Sequence, residues 1–192
     1  MTFDIEAFVN ALHEKFEERY DPEWIMPTEL STCLRRSWYA RKKGKNIIGE
    51  NAVLGIAIHN TVQDVAKRFN CEVEKEIQGE IAGVKVRGRA DLVCDDAVIE
   101  IKTTAIHDQL HYFQPVIYAT LLKKDRAYML YVDRNTGNIT FFQVDISFIL
   151  PFAIERLKAY HSAVVENKLP QKEYSQACRY CIYKSLCDTD SY

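Results

Sequence analysis

Two short stretches of alternating apolar and polar residues, 87–94 and 97–102, predict a β-hairpin that turns at an Asp-Asp pair. If the strands pair about this turn, Asp91 lies directly opposite Glu100. One face of the hairpin would then be apolar and belong in the core: Ala90, Leu92, Cys94, Ala97, Ile99 and Ile101. The other face would carry Arg89, Asp91, Glu100 and Lys102.

Apolar residues that recur every three or four positions predict helices in much of the remaining chain. The predicted helices span about 3–19, 28–44, 49–69, 108–123 and 147–166, the last capped by Ser147. Further alternating stretches predict strands at 72–81, 126–132 and 139–144. This order predicts a single α/β domain over 1–192, with a cysteine-rich tail at 170–192.

Composition predicts a globular protein in the cytoplasm, because 47% of the 192 residues are hydrophobic and 27% are charged. No apolar run is long enough to span a membrane, and the first residues have no signal-peptide pattern. The net charge of −2 argues against general attraction to nucleic acid. Six cations nevertheless crowd into 35–45, and Arg35 and Arg36 are candidate DNA contacts; the alternative is a solvated helix face.

The predicted pairing of Asp91 with Glu100 has a chemical consequence. Like charges directly opposite one another destabilise a sheet unless a cation lies between them. Mg²⁺ takes carboxylate oxygens, and the backbone carbonyl of Ile101 could supply another. Lys102 could hold or deprotonate a water beside that cation. The alternative is an exposed hairpin with a solvated polar face.

The tail carries a C-x2-C-x5-C run formed by Cys178, Cys181 and Cys187. In a cytoplasmic protein disulfides are not expected, so the run indicates a metal site. Cys33 is the predicted fourth ligand, because Cys94 belongs to the apolar hairpin face and Cys71 begins a strand. Four thiolates admit zinc or an iron-sulfur cluster. The spacing favours iron-sulfur, since zinc ribbons more often pair two C-x2-C knuckles.

These residues resemble a known family. Asp91 followed by Glu100-Ile101-Lys102 resembles the signature of the PD-(D/E)XK nuclease superfamily. Gly55-x3-His59 and Gln114-x3-Tyr118 are similar to motifs of its RecB-like branch. With one distant cysteine and the C-terminal run, the chain resembles the CRISPR-associated RecB-like exonucleases. It departs from them at Ala90, where a proline usually precedes the aspartate.

The resemblance implies a restriction-endonuclease-like mixed sheet flanked by helices, with a small C-terminal iron-sulfur module. It implies Mg²⁺ or Mn²⁺ held by His59, Asp91, Glu100 and the carbonyl of Ile101. Lys102 would position the attacking water, Gln114 would orient Lys102 or the phosphate, and Tyr118 would line the path of the DNA strand. The iron-sulfur ligands would be Cys33, Cys178, Cys181 and Cys187. A 4Fe-4S cluster is the favoured form and 2Fe-2S the alternative.

The function predicted on this basis is a metal-dependent DNA exonuclease that acts on single-stranded ends or overhangs. Its expected setting is CRISPR spacer acquisition, with the integrase as a partner. One alternative keeps the nuclease chemistry: a DNA-repair or viral RecB-like nuclease. A second alternative loses it: a non-catalytic module that binds DNA or the integrase. A zinc-stabilised regulator is the third.

Overall fold

The computed structural model describes residues 4, 6–7, 20–21, 23–43 and 52–189, so most of the helix predicted at 3–19 lies outside the described residues. The helices are α1 (Pro27–Leu30), α2 (Leu34–Lys43), α3 (Ala52–Lys67), α4 (Phe113–Leu122), α5 (Ile146–Val165) and α6 (Lys184–Thr189). Two 3-10 helices span Gln109–Tyr112 and Gln176–Tyr180. The strands are β1 (Glu72–Ile81), β2 (Val84–Val93), β3 (Ala97–Lys102), β4 (Arg126–Val132) and β5 (Ile139–Val144).

The five strands form one mixed sheet in the order β1-β2-β3-β4-β5. The β3–β4 pair is parallel, and the other three pairs are antiparallel. A parallel pair needs a crossover connection, which α4 provides between β3 and β4. The predicted α/β class, with a mixed sheet flanked by helices, is confirmed. Within the described residues, no helix combines the length and the apolar character needed to cross a membrane.

Helices cover the central hairpin on both sides. Ala66 of α3 packs in one hydrophobic cluster with Leu92 and Ile101. Val116 of α4 packs in another, which contains Ala90. The predicted apolar face is therefore confirmed for Leu92 and Ile101, which share a cluster, and wrong for Ala90, which lies in the other. Residues 90–93 are all buried, as expected of a strand that is covered on both faces.

Two predicted helix boundaries are corrected by side chains that cap helices. The helix predicted at 28–44 divides into α1 and α2, and the amide of Leu34 at the start of α2 donates a hydrogen bond to Glu173 at 2.8 Å. This partner lies 139 residues away along the chain, so the local sequence could not reveal it. At the start of α5, Asp145 rather than Ser147 accepts the amide of Phe148, at 3.0 Å.

Cys71 and Cys94 form a disulfide, which corrects the expectation that this protein contains none. Cys71 immediately precedes β1 and Cys94 immediately follows β2. The two strands are antiparallel and pair Glu72 with Val93, so the adjoining cysteines are brought together, with their Cα atoms 4.2 Å apart. The disulfide therefore closes the open end of the β1–β2 hairpin, at the end of the strand that carries Asp91.

Candidate active site

The hairpin of β2 and β3 adopts the predicted register, with Leu92 opposite Ile99 and Val93 opposite Val98. Continuing this register places Asp91 opposite Glu100. At this point the Asp91 side chain accepts a hydrogen bond from the backbone amide of Ile101 at 2.7 Å. Only 8% of Asp91 and 2% of Glu100 are exposed, so the alternative of a solvated hairpin face is excluded.

Glu100 is a buried carboxylate that uses only one of its two oxygens. Its Oε1 accepts a hydrogen bond from Lys102 Nζ at 2.7 Å. Its Oε2 is also buried, but has no hydrogen-bond partner among the described residues. Burial, and then the negative charge of Asp91, raise the pKa of Glu100 to about 8. An unpartnered buried oxygen beside a second carboxylate is a suitable ligand for a divalent cation.

Lys102 is held between two acceptors. Besides Glu100 Oε1, its Nζ donates a hydrogen bond to Oε1 of Gln114 at 2.9 Å. Gln114 lies in the first turn of α4 and is only 3% exposed, so the helix fixes its position. The ammonium group of Lys102 therefore lies beside the two carboxylates, with its direction set from the other side by Gln114.

The structure also brings His59 to this site from α3. Its Nδ1 lies 3.6 Å from Asp91 Oδ1. Burial lowers the pKa of His59, but the adjacent Asp91 carboxylate raises it above its ordinary value. Gly55, one turn earlier in α3, permits this approach, because a Cβ there would lie 2.9 Å from Thr103 Oγ1 at the end of β3.

Tyr118 lies next to the site but does not face it as expected. It is only 1% exposed, and its hydroxyl accepts a hydrogen bond from the backbone amide of Arg89 at 3.1 Å. The hydroxyl also lies against Gly88, where a Cβ would come within 2.4 Å of it. A side chain buried in this way cannot line a path for DNA, so the predicted contact is corrected. Tyr118 instead fixes β2 just before Asp91.

Glu74, which is not among the residues predicted from the sequence, also lies in the site. His59, Glu74 and Asp91 each present a potential ligand atom within 4.8 Å of the others. The described residues contain no other such group of three or more histidine, cysteine or acidic side chains. The signal was present in the sequence: pairing β1 with β2 about the Ala82-Gly83 turn places Glu74 opposite Asp91.

The four cysteines predicted to bind a cluster, Cys33, Cys178, Cys181 and Cys187, are half-buried and form no disulfide. Burial, followed by the nearby Glu173 and Cys178, raises the pKa of Cys33. Cys181 and Cys187 pack together against Tyr39 and Tyr183. The four thiols are not among the groups close enough to share one ion, so among the described residues they form no compact zinc site. An iron-sulfur cluster accepts wider spacing, because its ligands bind different iron atoms.

The two predicted DNA-contact arginines have different surroundings. The Arg35 guanidinium donates to the carbonyl of Pro170 at 2.7 Å and lies 3.8 Å from Cys187 Sγ, so it ties the tail to α2. Arg36 lies along a groove of about 290 Å³ that also includes Lys102 and Cys33. Only Arg36, of this pair, therefore lines a groove that leads to the carboxylate site.

The protein-family model of the PD-(D/E)XK nuclease superfamily matches residues 5–188 of this chain. A sequence comparison with curated proteins finds no significant match. The crystal structure of SSO0001 is similar at a TM-score of 0.69, with 22% identity, 99% of this chain and 98% of that chain covered.

Two further solved structures share the fold and have exonuclease names. A candidate exonuclease from Eubacterium rectale has a TM-score of 0.59 and 12% identity, with 94% of this chain and 93% of that chain covered. An alkaline exonuclease from Laribacter hongkongensis has a TM-score of 0.52 and 11% identity, with 76% of this chain and 89% of that chain covered. At these identities the structures establish only a shared fold. The family model covers nearly the whole chain and therefore establishes the family. The chain belongs to the PD-(D/E)XK nuclease superfamily.

Proposed function

We propose that the protein is a metal-dependent DNA exonuclease that acts on single-stranded ends or overhangs. One observation carries this proposal: the buried Glu100 leaves one oxygen unpartnered beside Asp91, while its other oxygen holds Lys102. A carboxylate pair with an adjacent lysine fits hydrolysis of a phosphodiester, in which negative charge develops on the phosphate oxygens.

The residues present fit a divalent cation. Asp91 and Glu100 offer carboxylate oxygens, the backbone carbonyl of Ile101 adds a further oxygen, and His59 adds a nitrogen. When bound, Mg²⁺ or Mn²⁺ would stabilise charge on the phosphate and make a bound water more acidic. Burial of Glu100 keeps bulk water from competing for its oxygens.

Lys102 positions the attacking water in this account. Its Nζ bonds to Glu100 and Gln114, which leaves one of its three donors for a water or a phosphate oxygen. Gln114 accepts from Lys102 and so keeps the ammonium group directed into the site. A fixed donor at this place stabilises the transition state without needing to reorganise.

A single DNA strand is the proposed substrate because the approach to Lys102 is a groove of only about 290 Å³. Arg36 lies along it and can pair with phosphate, and the hydroxyls of Thr32 and Ser175 can donate hydrogen bonds. Relatives of the same fold support action on ends: two carry exonuclease names, and the Laribacter hongkongensis enzyme has also been solved with dAMP.

We further propose that Cys33, Cys178, Cys181 and Cys187 hold an iron-sulfur cluster, with 4Fe-4S favoured over 2Fe-2S. Four thiols that form no disulfide, near the junction of α2 with the tail, support this assignment. When bound, the cluster would fasten the tail to α2. Cys187→Ala should bleach the brown colour and lower the melting temperature, whereas Cys71→Ser with Cys94→Ser should keep the colour. A colourless wild type that contains zinc would contradict the assignment.

The proposed setting is CRISPR spacer acquisition in the cytoplasm, with the integrase as partner. Its support is the resemblance of the motif set and the four cysteines to the CRISPR-associated RecB-like exonucleases. Co-purification with the integrase tests this setting. Metal-dependent cleavage without integrase binding would instead favour a DNA-repair or viral nuclease.

Labelled DNA tests the exonuclease assignment. Linear single-stranded, circular single-stranded and blunt duplex DNA should be incubated with purified protein and Mg²⁺ or Mn²⁺. We expect the linear single strand to be degraded from an end, and the circle to persist. Cleavage of the circle would show an endonuclease, and equal cleavage of the blunt duplex would contradict the strand preference. Binding without any cleavage would favour a non-catalytic module.

A further inference from the structure

His111 approaches the proposed active site from the segment that also carries Gln114. It belongs to the 3-10 helix Gln109–Tyr112, and Gln114 follows three residues later in the first turn of α4. Residues three apart lie on the same side of such a helical segment. Gln114 bonds to Lys102 at the end of β3, and His111 bonds to Tyr131 on the neighbouring strand β4.

The strand register places these two contacts side by side. β3 and β4 are parallel, and Lys102 pairs with Tyr131. Paired residues of adjacent strands lie on the same face of the sheet, so both side chains extend toward the same helical segment. Nδ1 of His111 lies 3.0 Å from the Tyr131 hydroxyl, just as Oε1 of Gln114 lies 2.9 Å from Lys102 Nζ. The His111 contact therefore lies one strand away from the lysine.

The contact with Tyr131 determines which ring nitrogen of His111 carries the proton. Tyr131 is only 1% exposed, and its hydroxyl makes no other hydrogen bond among the described residues. Burial also raises the pKa of Tyr131, so the phenol keeps its hydrogen. A buried hydroxyl that did not donate would leave this hydrogen unsatisfied, so the phenol donates to Nδ1. The single N–H of a neutral imidazole then lies on Nε2.

The surroundings keep the His111 ring neutral near pH 7. Burial, and then the positive charge of Lys102, lower the pKa of His111 to about 4. The neighbouring His107 also lowers it, and Asp108 acts in the opposite direction. His111 therefore presents one N–H donor and places no second positive charge beside Lys102.

His111 also lines the groove of about 290 Å³ that leads to Lys102 and includes Arg36. Its one side-chain hydrogen bond among the described residues is the contact with Tyr131, which occupies Nδ1 and leaves Nε2 for a ligand. We propose that His111 binds a backbone phosphate of the DNA strand in this groove, with Nε2–H donating to a phosphate oxygen and Tyr131 holding the ring in place. This inference rests on the proposed function for the substrate, and it adds a substrate-binding residue to the site.

A phosphate oxygen fits this imidazole N–H better than a base edge does. Lys102 and Arg36 bring positive charge to the same groove. The two carboxylates along it are already occupied, Glu29 by Arg41 and Asp108 by a backbone amide of the 3-10 helix. The charged groups left to meet a ligand are therefore both positive, which favours phosphate. Contacts to phosphate carry no base information, so this contact should not depend on DNA sequence.

Methylphosphonate DNA tests the contact, because it replaces one charged phosphate oxygen with a methyl group. Short single strands, each with one methylphosphonate at a different position, are titrated into the full chain with Ca²⁺ in place of Mg²⁺. The wild type should lose ~10–100-fold in affinity at the position that meets His111. His111→Ala should bind unmodified DNA at least tenfold more weakly and should become insensitive at that one position. His161→Ala is the matched control, because His161 of α5 lines a separate pocket, and it should behave as the wild type.

Two further variants separate binding from a merely structural role. His111→Gln keeps an N–H donor near the place of Nε2, so it should recover part of the affinity, and it replaces the alanine variant should that fail to fold. Tyr131→Phe removes the donor to Nδ1, so nitrogen NMR of labelled histidine should show the His111 proton shared between both ring nitrogens. A structural role alone would lower the melting temperature and leave the methylphosphonate pattern unchanged.

The result that would overturn the contact is an unchanged methylphosphonate pattern in folded His111→Ala, or a wild-type His111 proton on Nδ1. Neither measurement depends on cleavage. DNA cleavage by a wild type whose pattern persists in His111→Ala would remove the contact and leave the nuclease. Binding through His111 without cleavage in Mg²⁺ would remove the nuclease and leave the contact. A folded wild type that binds no DNA would overturn both.

Discussion

Lys102 donates a hydrogen bond to Gln114 Oε1 at 2.9 Å, and this contact joins the end of β3 to the first turn of α4. The two residues lie 12 positions apart in the chain, on either side of the loop and 3-10 helix that connect them. The direction of the lysine thus depends on how the crossover helix packs against the sheet.

Removing this contact should slow catalysis without unfolding the protein. Gln114→Ala leaves Lys102 bonded to Glu100 alone, and loss of such a supporting partner costs ~10–100-fold in activity. Gln114→Glu retains an acceptor and should lose less. Single-turnover cleavage at saturating DNA measures the effect, with melting temperature as the control for folding. Equal rates for the alanine variant and the wild type would exclude a positioning role for Gln114.

Glu100 should make stability depend on pH in the absence of divalent cations. Its pKa is about 8 in the folded protein against 4.5 ordinarily, so the folded state holds the proton more tightly than the unfolded state. Stability should therefore fall as the pH rises from about 4.5 to about 8. Melting curves in divalent-free buffer measure this, and Glu100→Gln should flatten the profile in that window.

The same linkage predicts how divalent cations act on stability. Below pH 8 a cation must displace the proton of Glu100, so Mn²⁺ should raise the melting temperature more at pH 8.5 than at pH 6. Glu100→Gln should lose most of this difference. An equal rise at both pH values in the wild type would show that Glu100 does not hold the cation.

Gly88 should tolerate no side chain while Tyr118 keeps its hydroxyl. A Cβ at Gly88 would lie 2.4 Å from the Tyr118 hydroxyl and 3.0 Å from Pro27 Cδ, so Gly88→Ala should destabilise the fold by ~1–3 kcal/mol. Tyr118→Phe removes the nearest atom and should restore part of the loss in the double variant. Denaturant unfolding of all four proteins measures the coupling. Strictly additive effects would show that the Tyr118 hydroxyl does not pack against Gly88.

The disulfide between Cys71 and Cys94 should stabilise the native state. It closes a loop between residues separated by 23 positions, for which loop-closure entropy predicts ~3 kcal/mol. Replacing both cysteines with serine should lower the free energy of unfolding by about that amount. The same double variant should retain its iron content, because its cysteines lie outside the proposed iron-sulfur ligand set. Unchanged stability would mean that the bond does not form in solution.

Local patterns predicted most of the sheet. β3, β4 and β5 have the predicted bounds, and the Asp-Asp turn fixed the register of β2 with β3 because side chains alternate strictly along a strand. The helix boundaries were harder to predict. The break between α1 and α2 depends on Glu173, which is distant in sequence. The end of α3 depends on how the helix packs on the sheet: it stops at Lys67, and Phe69 beyond it is 72% exposed.

The part of the site that lies on short motifs and on one hairpin could be predicted from the sequence. The sequence placed Asp91 against Glu100 and grouped Lys102 with them, since all three lie on two adjacent strands. The burial of Tyr118 depends on its contact with Gly88, which lies 30 residues away in sequence and becomes visible only once α4 is docked. Glu74 becomes visible only when β1 is also paired with β2, because that register places it opposite Asp91.

The central claim is that Lys102 and its carboxylate partners hydrolyse DNA. Its most direct test is cleavage of end-labelled single-stranded DNA with Mg²⁺ by the wild type, by Lys102→Ala and by Lys67→Ala, a surface-lysine control from α3. We expect equal activity for the wild type and the control, and a loss of ~10²–10⁴-fold for Lys102→Ala at equal melting temperature and iron content. Equal cleavage by Lys102→Ala, or no cleavage by folded wild type, would contradict it.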